Sequence, residues 1–208
     1  MTPWRQIRAV YDDSSIVVYQ AYSQAIAGPA VAAGRFVAPF SRERMTWIKP
    51  SFYWMMYRSG WARKPGQERV LAIRLSRAGF EEALSWAVLS HFDPALHDSE
   101  AAWRAALAAS PVRIQWDPER SATLEPLPYR SLQMGLSGPA VERYVDDWTL
   151  DLTDVTPRVH TLAATPPADR VLDPPERPYP LPDTLATRIG ATPAAPTAAA
   201  TANATGGQ

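Results

Sequence analysis

The sequence predicts an α+β fold: one domain over residues 1–163, with a small mixed or split β-sheet flanked by helices, then a mostly disordered tail over residues 164–208. Three observations predict it. Short β-branched and aromatic runs alternate irregularly with helical patterns. All eight Trp lie before residue 164. From Thr165 onward Pro, Ala, Thr and Asp dominate, and such a segment buries too little surface to offset ordering entropy. Residues 176–181, Glu-Arg-Pro-Tyr-Pro-Leu, are the one part of the tail with side chains suited to docking back. A domain of about 160 residues buries about two thirds of its unfolded surface, so no disulfide or metal staple is required.

Ser15 to Tyr22 is rich in β-branched and aromatic residues, which predicts a strand buried on both faces. Ser23 then caps an Ala-rich helix over 24–33, which Pro29 kinks and Gly34 stops. Met45 to Lys49 reads as extended. Pro50 suits a first helical turn, and a helix rich in large side chains follows over 51–60. A Lys64-Pro65-Gly66 turn leads into a strand over 69–75. Ser76 caps a helix whose apolar residues Phe80, Ala83, Leu84, Ala87 and Val88 share a face. A further helix runs from Asp98 or Ser99 to Ala109. Val112 to Trp116 is a strand that Asp117-Pro118 ends. Ser131 to Leu136 is another strand, after which Ser137 caps a helix bearing Val141, Tyr144 and Val145. Thr149 to Thr153 alternates as a strand does, and a short terminal element covers 155–162.

Basic and acidic residues balance at 21 each, so nothing global drives the chain toward nucleic acid or membrane. Lys49 and Lys64 are the only lysines. The absence of Cys removes disulfides, thiol catalysis and Cys-ligated metal, and fits a cytoplasmic location. The polar N-terminus lacks the apolar stretch of a signal peptide, and no run of about 18 apolar residues predicts a membrane span.

Chemistry concentrates in residues 42–64. Arg42, Arg44, Lys49, Arg58, Arg63 and Lys64 are interleaved with Trp47, Phe52, Tyr53, Trp54, Tyr57 and Trp61, and Glu43 is the sole acid. On one helix, Trp54, Arg58 and Trp61 share a face. Cations beside aromatic planes suit a ligand carrying phosphates and bases. The competing reading is a core helix whose arginines snorkel to water.

Gln115-Trp116-Asp117-Pro118-Glu119-Arg120 sets polar groups at a strand end, a usual position for site residues, with a plain turn as the alternative. Arg130, Ser131 and Gln133 surround another strand, with Ser131 and Gln133 on one face. His91, Asp93, His97 and Asp98 fit no common metal-ligand spacing, and no metal is expected. Neither a phosphate-binding Gly loop ending in Lys nor a dinucleotide-binding Gly turn is present, which disfavours kinase and Rossmann readings. Gly135-Leu136-Ser137-Gly138 has the wrong spacing for a nucleophile elbow.

Four runs carry a resemblance. They are Ile7 to Asp12, Val18 to Tyr22, Arg44 to Phe52 with Trp54 to Trp61, and Gln115 to Arg120. Together they resemble the bacterial and fungal domain of unknown function family 4291 over about residues 4–162. More distantly, Val18-Tyr19-Gln20-Ala21-Tyr22 and the helix ending Ala32-Ala33-Gly34-Arg35-Phe36 are similar to the opening of ADP-ribosyltransferase domains. That likeness implies a split sheet around an NAD pocket and transfer of ADP-ribose to an acceptor, nucleic acid among the candidates. Gln20 would then stand where a His usually contacts the nicotinamide ribose. The aromatics between Trp47 and Tyr57 would stack the nicotinamide. Glu119 or Gln115 would stabilise an oxocarbenium-like transition state. On this reading Glu119 and Gln115 are catalytic, and Tyr19, Gln20, Arg44, Trp47, Lys49, Ser51, Trp54, Arg58, Arg130 and Gln133 bind the cofactor. The alternative is a non-catalytic module that holds a nucleotide or single-stranded nucleic acid through residues 42–64.

Overall fold

The computed structural model describes residues 2–192. Its strands are β1 (Arg8–Ala9), β2 (Ser15–Tyr22), β3 (Thr46–Ile48), β4 (Arg69–Ser76), β5 (Ala87–Leu89), β6 (Val112–Arg120), β7 (Pro126–Leu136), β8 (Thr149–Asp154) and β9 (Arg177–Pro178). Its α-helices are α1 (Gln24–Ala33), α2 (Phe52–Ser59), α3 (Arg77–Ser85), α4 (Glu100–Ala109), α5 (Pro139–Arg143), α6 (Thr156–Ala164) and α7 (Asp183–Ile189). The α+β class is as expected.

The sheet is split. One half is antiparallel, in the order β2-β4-β8. The other runs β3-β7-β6-β5 and is mixed, because β5 pairs parallel with β6. A single antiparallel bridge joins the halves. Tyr19 N–H donates to the Lys49 carbonyl at 2.7 Å, and Lys49 N–H returns to the Tyr19 carbonyl at 3.3 Å. Beyond that bridge β2 and β3 diverge.

Period-2 alternation divides β2 between two cores, as its composition predicts. Ile16 and Val18 enter the larger core with Leu71, Ile73, Phe80, Leu84, Ile114 and Met134. Tyr19 enters a smaller one, formed where α2 and α6 supply Phe52, Met55, Met56, Val159 and Leu162. The smaller core fixes α2 against the sheet and so positions the site.

Several local expectations hold for the expected reasons. The Ser76 and Ser99 hydroxyls cap α3 and α4 by accepting from the N–H three residues on. Ser51, expected inside the helix after Pro50, is instead the cap of α2, and Ser23 stands at the start of α1 without a side-chain cap bond. Gly34 and Gly60 adopt left-handed C-cap conformations.

Others are corrected. The helix after Ser76 stops at Ser85, and Ala87 and Val88 form β5 instead. Ser137 does not cap α5. Gly138 holds that position at φ 49, and the Ser137 hydroxyl donates to the Pro111 carbonyl. Asp117-Pro118 does not end its strand. β6 continues to Arg120, because beyond Ile114 it has no β5 partner and the missing proline N–H costs nothing there.

The ordered domain also extends past the boundary expected at 163. β9 pairs with β1, Tyr179 and Ile189 are buried, and Arg170 donates to the Leu162, Ala163 and Thr165 carbonyls at the end of α6. The docking anticipated for residues 176–181 is therefore part of a longer strap across one side of the domain. Its few apolar side chains and its arginines Arg170 and Arg177 do what composition alone did not signal. The end of the expected tail, 193–208, lies outside the described residues.

Candidate functional site

Where β2 and β3 part, Gln20 fills the fork. Its amide N–H groups donate to the Thr46 hydroxyl at 2.6 Å and the Trp47 carbonyl at 3.0 Å. Its carbonyl accepts from the fully buried Tyr144 hydroxyl at 2.7 Å. Outward from this wedge opens a cleft of about 430 Å³. One wall comes from β3 and α2, and another from the turn around Gly66.

Trp47 lies flat against β7. A Cβ on its cross-strand partner Gly135 would meet the indole at 2.9 Å, so the glycine is what lets the ring lie there. Trp54 projects from the first turn of α2, and Arg58, one turn on, stands at the same wall.

Beneath Trp54 is Lys49, 1% exposed. Its ammonium sits 3.9 Å from the centre of an indole ring, 3.0 Å from Asp117 Oδ2 and 3.4 Å from the Ser131 carbonyl. Burial pulls this amine down to about 8, with Asp117 opposing the shift. Gln115 donates to the other Asp117 oxygen at 2.8 Å. Lys49 reaches Asp117 and Ser51 reaches Glu119, so these β6 carboxylates lie where β3 ends and α2 begins.

Glu119 behaves differently from Asp117. It is 5% exposed, and its Oε1 accepts from the Ser51 hydroxyl at 2.6 Å and the Arg120 N–H at 2.8 Å. The same Ser51 oxygen caps α2. Beside it the strap delivers Glu176, which accepts from Phe52 N–H at 2.6 Å. Burial raises the Glu176 carboxyl to about 8. The Phe52 bond and Arg8 oppose the rise, and the Glu119 charge adds to it.

This raised carboxyl on a half-buried side chain has a measurable consequence. The folded protein keeps the Glu176 proton up to about pH 8, whereas the unfolded chain releases it near the ordinary value of 4.5. Stability from this group is thus complete below that lower value and falls as pH rises through about 8. Glu176→Gln, which keeps an acceptor but cannot ionise, is expected to remove that decline and to be the more stable protein above the window. Urea midpoints on either side of it measure this; parallel profiles for the two proteins would defeat the assignment.

Of the residues read from the sequence, Gln20, Arg44, Trp47, Lys49, Trp54, Arg58 and Gln133 line this one cleft. Gln115 and Glu119 lie behind Lys49 and Ser51 and are not among its lining residues. Tyr19 is not at the cleft. It packs edge-on against Phe52 in the smaller core, because alternation turns it to the face opposite Gln20. Ser51 serves as helix cap. Arg130 points to the N-terminal segment, with its guanidinium 5.0 Å from a Trp4 ring centre.

Trp61 does not share a helix face with Trp54 and Arg58. The chain turns left-handed at Gly60, Trp61 and Ala62, with φ of 59, 58 and 59°, and buries the Trp61 indole. Two consecutive non-glycine residues in that region are strained, and the smaller core holds them there. Asp117, Thr46 and Glu176 are site neighbours that had no assigned role. For Asp117 the signal was there in the Gln115-Asp117-Glu119 alternation, once β6 is carried through Pro118.

Among the described residues no group of three His, Cys, Asp or Glu is arranged to hold a metal. Asp93 instead pairs with Arg5, and His97 Nδ1 bonds the Asp93 carbonyl. Among the described residues no helix is long and apolar enough to cross a membrane.

The model of a family described as Domain of unknown function (DUF4291) matches residues 6–179, a span that takes in both the cleft and the strap through Tyr179. No curated protein matches the chain.

Proposed function

The chain belongs to the DUF4291 family, and we propose that it binds a phosphate-bearing nucleotide, NAD first among them, in the cleft at the β2–β3 fork and transfers ADP-ribose from it. The observation that carries this reading is the convergence of seven sequence-selected residues on one cleft at the split of the sheet. Electrostatics favour it as well. The Asp and Glu side chains near α3, α4 and α5 are matched by arginines, yet no ion pair among the described residues involves Arg44 or Arg58. Two unpaired guanidinium groups at a cleft mouth suit a pyrophosphate. Trp47 and Trp54 offer faces for a base or the nicotinamide.

Departure of nicotinamide leaves positive charge on the ribose, which a nearby carboxylate stabilises. In this reading Asp117, which like Gln115 and Glu119 is not itself a lining residue but is paired with the lining Lys49 and held by Gln115, takes that part. Glu119, locked by Ser51, secures the start of α2. Calorimetry and a nicotinamide-release assay test the scheme. NAD is expected to raise the melting temperature, and paired Arg44→Glu and Arg58→Glu changes to weaken it by about 100-fold, the loss of two charge-assisted contacts. Asp117→Asn is expected to keep binding and lose turnover, and Glu119→Gln to lower stability. No thermal shift at millimolar NAD together with no nicotinamide release would overturn the reading.

A second reading, a module that holds a nucleotide or single-stranded nucleic acid without turnover, rests on a different observation. Tyr57 is 43% exposed beneath the Arg120 guanidinium, whose centre lies 3.6 Å from the ring centroid, with the Lys64 ammonium 5.9 Å from the same ring. Salt-dependent binding of a labelled oligothymidylate that Tyr57→Ala with Arg120→Ala abolishes, in a protein that never releases nicotinamide, would favour it.

A further inference from the structure

We infer that Lys49 is a nucleophilic amine that captures the anomeric carbon of a phosphate-bearing sugar, through its open-chain aldehyde, as an imine. The inference rests on the nucleotide reading only for the phosphate handle that Arg44 and Arg58 supply.

The argument is one of placement. Lys49 lines the cleft, and its nitrogen is held from three sides by Asp117, the Ser131 carbonyl and the Trp54 ring. A purely structural ion pair on this sheet face needs no cavity beside it and no aromatic cover. Here the amine lies under an indole that is itself part of the cleft wall. Its neighbourhood is also unusually polar for a sheet face packed under a helix. The Ser131 hydroxyl, cross-strand from Asp117, is buried with no hydrogen-bond partner. That hydroxyl is 3% exposed and not among the cleft's lining residues, so it adds unmatched polarity behind the amine and is not itself a ligand contact. Desolvation, the cause of the lowered proton affinity, is also what makes lysines reactive toward carbonyls. The charges facing the amine are Asp117 and Glu119, which favour the proton, and Arg120, which disfavours it; burial outweighs them.

The step balances without another reagent. The neutral Nζ lone pair adds to the aldehyde carbon, and the carbonyl π pair moves to its oxygen. That oxygen takes up the proton which nitrogen gives up, passed through Asp117 Oδ2. Loss of water then leaves the imine between Nζ and the sugar carbon.

The sequence makes the test unusually clean, because Lys64 is the only other lysine. The intact protein is incubated with ribose 5-phosphate or ADP-ribose and cyanoborohydride, digested and mapped by mass spectrometry. Label is expected at Lys49 about tenfold or more above Lys64, since at neutral pH an amine near 8 carries far more neutral form than an ordinary lysine. Its rate should rise with pH and level off above about 8. Lys49→Arg should lose the adduct, and Lys64→Arg should keep it. Mapping of the unaltered protein decides the matter even where Lys49→Arg fails to fold. Equal labelling of the two lysines, or none at Lys49, overturns the inference. Labelling at Lys49 in a protein that ignores NAD removes the transferase reading and leaves the amine; NAD turnover with no label does the reverse.

Discussion

Ending the chain at Ala164 is expected to abolish cooperative unfolding altogether. The removed strap carries Tyr179, which packs edge-on against Tyr11 and Phe80 at 5.2 and 5.6 Å. The Tyr179 hydroxyl donates to Glu81 at 2.6 Å and accepts from Arg77 at 3.1 Å. The strap also carries Ile189, fully buried, whose carbonyl accepts from the Trp116 indole N–H at 2.8 Å. Losing two such side chains costs about 2–5 kcal/mol each, against a total stability of about 5–15 kcal/mol for a typical domain. The cut further unpairs β1 and frees the Phe52 N–H at the start of α2. Circular dichroism with urea titration reads the result. A truncated domain that unfolds at the full-length midpoint would show the strap to be dispensable. Tyr179→Ala gives the graded version, with about 3–5 kcal/mol expected.

The strap also shows where sequence reading reached its limit. A Pro-rich, Ala-rich stretch has too few apolar residues to form a core of its own, and that physical argument is sound. It says nothing about a stretch that completes a core built elsewhere. Tyr179 and Ile189 need only slots, and those slots are made by Phe80, Leu84 and Leu89, far earlier in the chain. The elements that were legible are those governed by local chemistry. β2 was readable because β-branched residues fill both faces, and α2 because Ser51 and Gly60 mark its ends.

The cleft was legible in part for a related reason. Residues 42–64 carry its aromatic and cationic wall in a single run, so five of the selected residues, Arg44, Trp47, Lys49, Trp54 and Arg58, arrived together. What local reading lost were the places where the chain changes direction or partners. Trp61 leaves the helix face because three left-handed residues follow Ser59. Arg130 faces Trp4 because the N-terminal segment lies beside the start of β7. Glu119 is sealed because α2 begins on top of it.

Gln20 and Gln133 make the sharpest comparison, since both were read as ligand contacts and both line the cleft. Gln20 is 3% exposed, and its amide is committed to Thr46, Trp47 and Tyr144. Gln133 makes no side-chain hydrogen bond among the described residues, and its backbone is fixed opposite Gln115. Gln20→Leu should therefore strand a buried tyrosine hydroxyl and take the side-chain donor from a backbone carbonyl at the fork, while Thr46 keeps its bond to the Tyr22 hydroxyl at 2.9 Å. At about 1–3 kcal/mol for each of these two groups, the expected loss is about 2–6 kcal/mol. Gln133→Leu removes no internal partner and should move the urea midpoint by less than about 1 kcal/mol, while lowering affinity for whatever occupies the cleft. The two substitutions delete the same amide from the same cavity, so their stabilities separate a residue that holds the split sheet together from one that meets a ligand. Should Gln20→Leu unfold at the same urea concentration as Gln133→Leu, the fork is held by the Tyr19–Lys49 bridge alone. Gln20 would then be free to serve the ligand after all.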